Sequence, residues 1–185
     1  MISAAILAGG RNSRMGKDKA FLSVNGKSFI EHTIDELKGF GKIIISSNEE
    51  EKFKEFGLPV VKDIYPGCGP MSGLHAVLKA VGNDPVLTVA CDLPFFTSEF
   101  ADRLVSSIGK YDAVIPETDD GYHPLCAVYT RNCLPVFEDA LNKGLYSVSR
   151  SLKNLNVKYL QITDPDEIKN LLNINTSEEY DLYCR

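Results

Sequence analysis

Residues able to do chemistry concentrate in the first half of this 185-residue chain. The opening apolar run ends in Leu7-Ala8-Gly9-Gly10, and a basic segment follows at once, with Arg11, Arg14, Lys17 and Lys19 against Asp18 alone. That places a charge of +3 in nine residues of a chain whose net charge is −5. Glycines directly after a strand let the backbone approach a ligand closely, and successive N–H groups there cradle phosphate oxygens. The segment therefore suits an anion, a solvated basic turn being the competing reading. Two familiar phosphate patterns do not apply. GxGxxG is absent, five residues rather than four separate Gly10 from Gly16, and Asp18 follows Lys17 where a magnesium-binding hydroxyl would stand. These departures argue against a P-loop ATPase or GTPase. Lys19 and Arg14, set after the glycines, are candidates to offset phosphate charge.

Asp92 follows the apolar run from Val86 to Cys91 and precedes Leu93-Pro94. A carboxylate at the carboxyl end of a parallel strand lies where open α/β sheets bind ligands. Magnesium typically takes one or two carboxylates together with substrate phosphates and water, so Asp92 is a candidate ligand without a larger acidic cluster. The alternative is that Asp92 caps a helix beginning near Thr97, although Thr97 and Ser98 are better placed to do so. Asn48 and Asp63 end the next two strands in sequence order, Asn48 being equally suited to cap a helix through Phe56. Gly69-Pro70-Met71-Ser72-Gly73 opens a helix whose first N–H groups could face a base or ribose. His32, His75 and His123 are too widely spaced for a metal cluster and lack a companion nucleophile motif, so a structural role is expected, with His123, just before a strand, the partial exception. Near the end, Thr176 and Glu179 form a T-x-x-E capping box, which leaves Asn173 and Asn175 free to bind.

The elements that would position these residues alternate. Short β-branched runs predict strands near Ser3–Leu7, Lys42–Ser46, Val60–Lys62, Val86–Ala90, Ala113–Ile115, Leu125–Thr130 and Val157–Ile162. Apolar residues three and four apart predict helices over Phe29–Leu37, Met71–Val81, Thr97–Ile108 and Leu134–Lys143. This alternation predicts an α/β fold, a Rossmann-like, mostly parallel mixed sheet with helices on both faces. With neither linker, repeat nor low complexity, a single domain over residues 1–185 is expected.

Composition narrows the function. At 44% hydrophobic and 24% charged, the chain can build a core and is not disordered. Its apolar runs fall well short of the roughly 20 residues that cross a bilayer. The N-terminal apolar stretch precedes its positive charges, the reverse of a targeting signal, so a cytoplasmic location is expected and no membrane partner. An acidic balance argues against broad nucleic-acid binding. Five cysteines without a CxxC pair, at Cys68, Cys91, Cys126, Cys133 and Cys184, disfavour a disulfide framework or a zinc site.

The segment Leu7–Leu22, LAGGRNSRMGKDKAFL, resembles the LAGGxSxRMGxDKAxL signature of nucleotidyltransferases, above all the molybdenum cofactor guanylyltransferases, departing from it at one detail beside Ser13. The resemblance continues through Asp63 in VVKDIYPGCGPMSGL, Asp92 in VACDLPF, HPLCAVY from His123 to Tyr129, and NINT from Asn173 to Thr176, covering nearly the whole chain. It implies the nucleotide-diphospho-sugar transferase-like fold and transfer of GMP from GTP to the phosphate of molybdenum-bound molybdopterin, with Mg²⁺ as cofactor. It assigns Arg14, Lys19 and Asp92 to catalysis, Asp92 to the metal, and Leu7, Ala8, Gly9, Gly10, Lys19, Asn48, Asp63 and Asp92 to the nucleotide. His123, Asn173 and Asn175 fall to the acceptor, although Ser177 stands where the family commonly has proline. Transient contacts with cofactor-delivery proteins or molybdoenzymes are also implied. A relative using CTP or a sugar-phosphate acceptor, or a non-catalytic nucleotide-binding module, would share these features. Intact Lys19 and Asp92 disfavour the last.

Overall fold

The computed structural model describes residues 2–9 and 18–184. Within them the chain forms β1 (Ser3–Leu7), β2 (Ser23–Val24), β3 (Lys27–Ser28), α1 (Phe29–Glu36), β4 (Lys42–Ser46), β5 (Val60–Val61), α2 (Pro70–Val81), β6 (Val86–Ala90) and α3 (Ser98–Ser106). It continues with β7 (Ala113–Thr118), β8 (Gly121–Tyr122), β9 (Ala127–Tyr129), α4 (Cys133–Asn142), α5 (Val148–Ser151), β10 (Val157–Gln161), α6 (Pro165–Ile168) and α7 (Ser177–Tyr183). The main sheet has the order β10-β7-β9-β6-β1-β4-β5, with β8 paired to β7.

The central strands are buried on both faces, because successive strand side chains point to opposite sides. In β1, Ala4 and Ile6 enter one apolar cluster and Ala5 and Leu7 the other. In β6, Leu87 and Val89 enter the first and Val86 the second. Ile30 of α1 and Phe100, Ala101 and Leu104 of α3 cover the first face. Met71, Leu74 and Val77 of α2 and Phe137 and Leu141 of α4 cover the second. Each of the buried Val, Leu, Ile, Phe and Met side chains contributes about 1.5–3 kcal/mol.

β1 pairs in parallel with β4 and β6, and β4 with β5, so the carboxyl ends of β6, β1, β4 and β5 share one edge of the sheet. β9 is antiparallel to both of its neighbours, β6 and β7. Residues 119–126, which join β7 to β9, are too few for the crossover of a dozen or more that a parallel pair requires. β10 returns parallel to β7. The sheet is thus mixed and mostly parallel, with helices on both faces.

The strand expected over Val60–Lys62 narrows to Val60–Val61, and the helix expected through Phe56 is a 3₁₀ turn over Glu50–Phe56. The β2–β3 hairpin lies outside the elements predicted from sequence. Its turn residues Asn25 and Gly26 have φ of 51° and 81°, the left-handed pair a tight two-residue hairpin requires. This hairpin and α1 contribute Leu22, Val24 and Phe29 to a third apolar cluster that receives Ile174, with Phe95, Tyr180 and Cys184 at its margin. Tyr180 Oη donates to Ser23 O at 2.6 Å. The end of the chain is thereby fastened beside the segment that follows β1. No helix among the described residues is long and apolar enough to cross a membrane.

Candidate active site

The sheet edge at the carboxyl ends of β1, β4, β5 and β6 gathers most of the residues singled out above. Past β1, Ala8 N donates to Ser46 O at 2.9 Å, and Cys91 N donates to Leu7 O at 3.1 Å. The ladder thus extends to the last residues before the exposed Gly9. Leu7 is buried and Ala8 half-buried. Gly10 and Arg14 lie outside the described residues, as do Arg11 and Lys17.

Asn48 does not cap the 3₁₀ turn that follows it, which begins after Glu49 without a side-chain cap. Its amide instead meets Asp63 twice, Nδ2 donating to Asp63 Oδ2 at 2.8 Å while Asp63 N donates to Asn48 Oδ1 at 2.9 Å. Two loops from adjacent strands are locked together at the rim. Beneath them the first turn of α2 comes close, since a Cβ added at Gly73 would lie 3.0 Å from Ser46 Oγ and 3.9 Å from Asp63 Oδ1. Gly73 permits that approach. Gly69 precedes α2 without a side-chain cap.

Lys19 opens a 3₁₀ turn over Lys19–Phe21. Asp18 caps this turn, accepting from Ala20 N at 3.2 Å, and its other oxygen accepts from Lys52 Nζ at 3.0 Å. Ala20 is buried, and the Phe21 ring stacks on Phe53 at 5.6 Å. Lys19 Nζ then points inward, donating to Asn175 Oδ1 at 2.6 Å and to Asp92 Oδ2 at 3.3 Å. The Lys19 and Asp92 side chains are only 20% and 21% exposed, so solvent screens this pair less than a surface ion pair.

Asp92 is not a helix cap. Thr97 takes that role for α3, its Oγ1 accepting from Phe100 N at 3.3 Å. Asp92 is further held through its carbonyl, which accepts from Ile174 N at 3.0 Å. His32, on α1, bonds Phe96 O through Nε2 at 2.9 Å and steadies the same loop, in keeping with a structural histidine.

On the β9 side of Asp92 lies a cleft of about 200 Å³, lined by Asp92, Tyr122, His123, Leu125 and Asn173 among others. His123 N donates to Pro116 O at 3.0 Å, and its Nε2 lies 2.9 Å from Thr118 Oγ1. Burial lowers the pKa of His123 against a weaker opposing pull from Asp120, which favours the neutral imidazole and hydrogen bonding over charge. Thr118 was not among the sequence candidates, and nothing in its sequence context marks it. Lys52 was missed in the same way, because its partner Asp18 lies 34 positions away. Asn173 lines the cleft, whereas the Asn175 side chain runs to Lys19.

The donor set fits a hard cation in one respect. Asp92 is an oxygen donor at a strand end, partly open and uncommitted to any helix. Among the described residues no three His, Cys, Asp or Glu side chains cluster as a metal cage. Sulfur chemistry is unsupported, since the five cysteines are free thiols and burial pushes Cys91 and Cys133 up to about 12. Cys91, directly before Asp92, is therefore protonated and a poor nucleophile.

A lysine and a carboxylate meeting over the carboxyl ends of parallel strands, between the exposed Gly9 and a cleft, lie where open α/β sheets bind their ligands. The chain belongs to the family of MobA-like NTP transferase domains, whose model matches residues 4–157. It is 41% identical over 97% of its length, and 94% of the relative's, to a Clostridium perfringens protein named "Probable molybdenum cofactor guanylyltransferase". A Desulfosudis oleivorans protein named "Molybdenum cofactor guanylyltransferase" is 32% identical over 96% of this chain and 92% of its own. Among solved structures, molybdopterin-guanine dinucleotide biosynthesis protein A from Archaeoglobus fulgidus superposes with a TM-score of 0.84 at 26% identity, covering 97% of this chain and 95% of the other.

Proposed function

We propose that the chain, acting as one domain over residues 1–185, transfers GMP from GTP to the phosphate of molybdenum-bound molybdopterin, releasing pyrophosphate and leaving molybdopterin guanine dinucleotide. The names of its relatives support the substrates. One observation carries the chemistry: Lys19 and Asp92, 3.3 Å apart, sit at the end of β6, which lies between β1 and β9 in the sheet. On the β1 side stand Gly9, Asn48 and Asp63; on the β9 side is the cleft with His123 and Asn173. A nucleotide and an acceptor approaching from opposite sides would meet at this pair.

In the reaction an acceptor phosphate oxygen forms a bond to the α-phosphorus as the bond from that phosphorus to the pyrophosphate oxygen breaks. Such transfer needs positioning and charge stabilisation more than covalent help. Leu7, Ala8, Gly9 and Gly10 are assigned to the nucleotide, the exposed Gly9 lying just past the ladder that takes up Leu7 O and Ala8 N, with Asn48 and Asp63 at the rim. Lys19 offsets triphosphate charge, and Arg14 is assigned to the reactive phosphates. Asp92 would hold Mg²⁺, which when bound neutralises charge on the phosphates. His123 and Asn173 provide neutral hydrogen bonds to the acceptor. The enzyme is read as cytoplasmic, meeting cofactor-delivery proteins or molybdoenzymes only transiently. GTP labelled at the α-phosphate tests the reading: label should move into a product containing molybdopterin. Label recovered only as GMP, or left in GTP, would exclude it.

A further inference from the structure

We propose that Asn175 is a positioning residue for Lys19, so that the last segment of the chain helps to set the geometry of the nucleotide site. The inference rests on the functional reading above and assigns Asn175 a role on the nucleotide side in place of an acceptor contact. Its basis is the 2.6 Å hydrogen bond from Lys19 Nζ to Asn175 Oδ1, made across 156 positions of sequence. A lysine ammonium has three donors on a flexible stem and takes a fixed direction only where acceptors impose one. Asn175 and Asp92 take two of these donors, leaving the third for a phosphate oxygen. The two acceptors differ in kind. Asp92 is a charged partner that is also the proposed Mg²⁺ ligand, whereas the amide oxygen of Asn175 is neutral and orients the lysine without competing for its charge.

Asn175 is itself held firmly enough to do this. Its N–H donates to Glu179 Oε2 at 2.6 Å, and Thr176 N donates to the same oxygen at 3.0 Å. The preceding residue, Ile174, is fully buried against Leu22, Val24 and Phe29, and its N–H donates to Asp92 O. A buried anchor on one side and a helix cap on the other fix the backbone of Asn175 beside the lysine. The two asparagines that flank Ile174 separate accordingly, Asn173 lining the cleft and Asn175 reaching Lys19.

A double-mutant cycle distinguishes a residue acting through Lys19 from one with its own ligand contact. GTP affinity is measured by calorimetry with magnesium for the native protein, Asn175→Ala, Lys19→Ala and the double variant, each checked for a native-like melting temperature. Asn175→Ala should weaken GTP binding about tenfold in the native background, as loss of a charge-assisted hydrogen bond would, and less than about twofold once Lys19 is alanine. Asn175→Leu, similar in volume but lacking the oxygen, should reproduce the loss and keeps the cycle usable if alanine unfolds the segment. Equal losses in both backgrounds would overturn the proposal, as would native GTP affinity with a raised KM for molybdopterin. Native protein that binds no GTP would remove the functional reading and this proposal together, whereas native binding with an additive cycle would remove the proposal alone.

Discussion

Lys19 and Asp92 are each recognisable from their surroundings in the sequence, the lysine from the glycines and basic segment before it and the carboxylate from the apolar strand it follows. Their mutual contact is long-range, 73 positions apart, and arises because the 3₁₀ turn carrying Lys19 packs over the end of β6. Asp92→Asn keeps the shape of that side chain and removes its charge. Turnover should fall by about two orders of magnitude or more while the melting temperature stays near native. Initial rates at saturating magnesium check this, and near-native rates would take Asp92 out of the chemistry. His75 offers a separate test, of the core rather than the site. It is fully buried, neither ring nitrogen has a hydrogen-bond partner, and Glu138 Oε1 stands 3.6 Å from Nε2. Burial lowers its pKa below 6.5, outweighing the opposing pull of Glu138. The unfolded chain therefore takes up the proton first as pH falls. Stability from the neutral ring is complete above about pH 6.5 and is lost below it, by at most about 1.4 kcal/mol per pH unit. His75→Leu should accordingly lose less melting temperature than the native protein between pH 7.5 and 5.5. His123 shifts in the same direction but is present in both proteins, so equal slopes would contradict the burial argument.

At the scale of elements, the capping box over Thr176 and Glu179 was legible, and both of its bonds form around α7. What the pattern could not reveal is that Glu179 also accepts from Asn175 N, so that the cap of the last helix braces the residue bonded to Lys19. Glu179→Ala should cost about 1 kcal/mol, a drop of roughly 2–4 °C in melting temperature for a chain of this size. Glu178→Ala, an exposed first-turn change without that bond, should shift it less. Equal shifts in thermal melts would mean that α7 is held by general helix electrostatics and not by this cap. The Asn25-Gly26 hairpin had a local turn signal that the strand and helix patterns passed over, because β2 and β3 are only two residues each. Asn48 shows the opposite limit. Its local context fits a helix cap equally well, and only the spatial closeness of Asp63, 15 positions on, decides against that role.

For the whole molecule, the alternation of strand and helix was enough to foresee a mostly parallel sheet with helices on both faces. The antiparallel course of β9 was also within reach of the sequence, since the connection from β7 is too short for a crossover, although a strand read by periodicity alone has no direction. That course matters for function. It brings His123 and the cleft to the opposite side of β6 from Gly9, with Lys19 and Asp92 between them, the arrangement on which the proposed division into a nucleotide side and an acceptor side rests. The two asparagines were the harder part to read, because Asn173 and Asn175 look equivalent in the sequence, yet on either side of the buried Ile174 one lines the cleft and the other reaches Lys19. The most direct test of guanylyl transfer is pyrophosphate release by the native protein with magnesium and molybdopterin, compared across the four nucleoside triphosphates and repeated without acceptor. Release should require both GTP and molybdopterin and be far faster with GTP than with CTP, ATP or UTP; release that is independent of molybdopterin, or fastest with CTP, would contradict it.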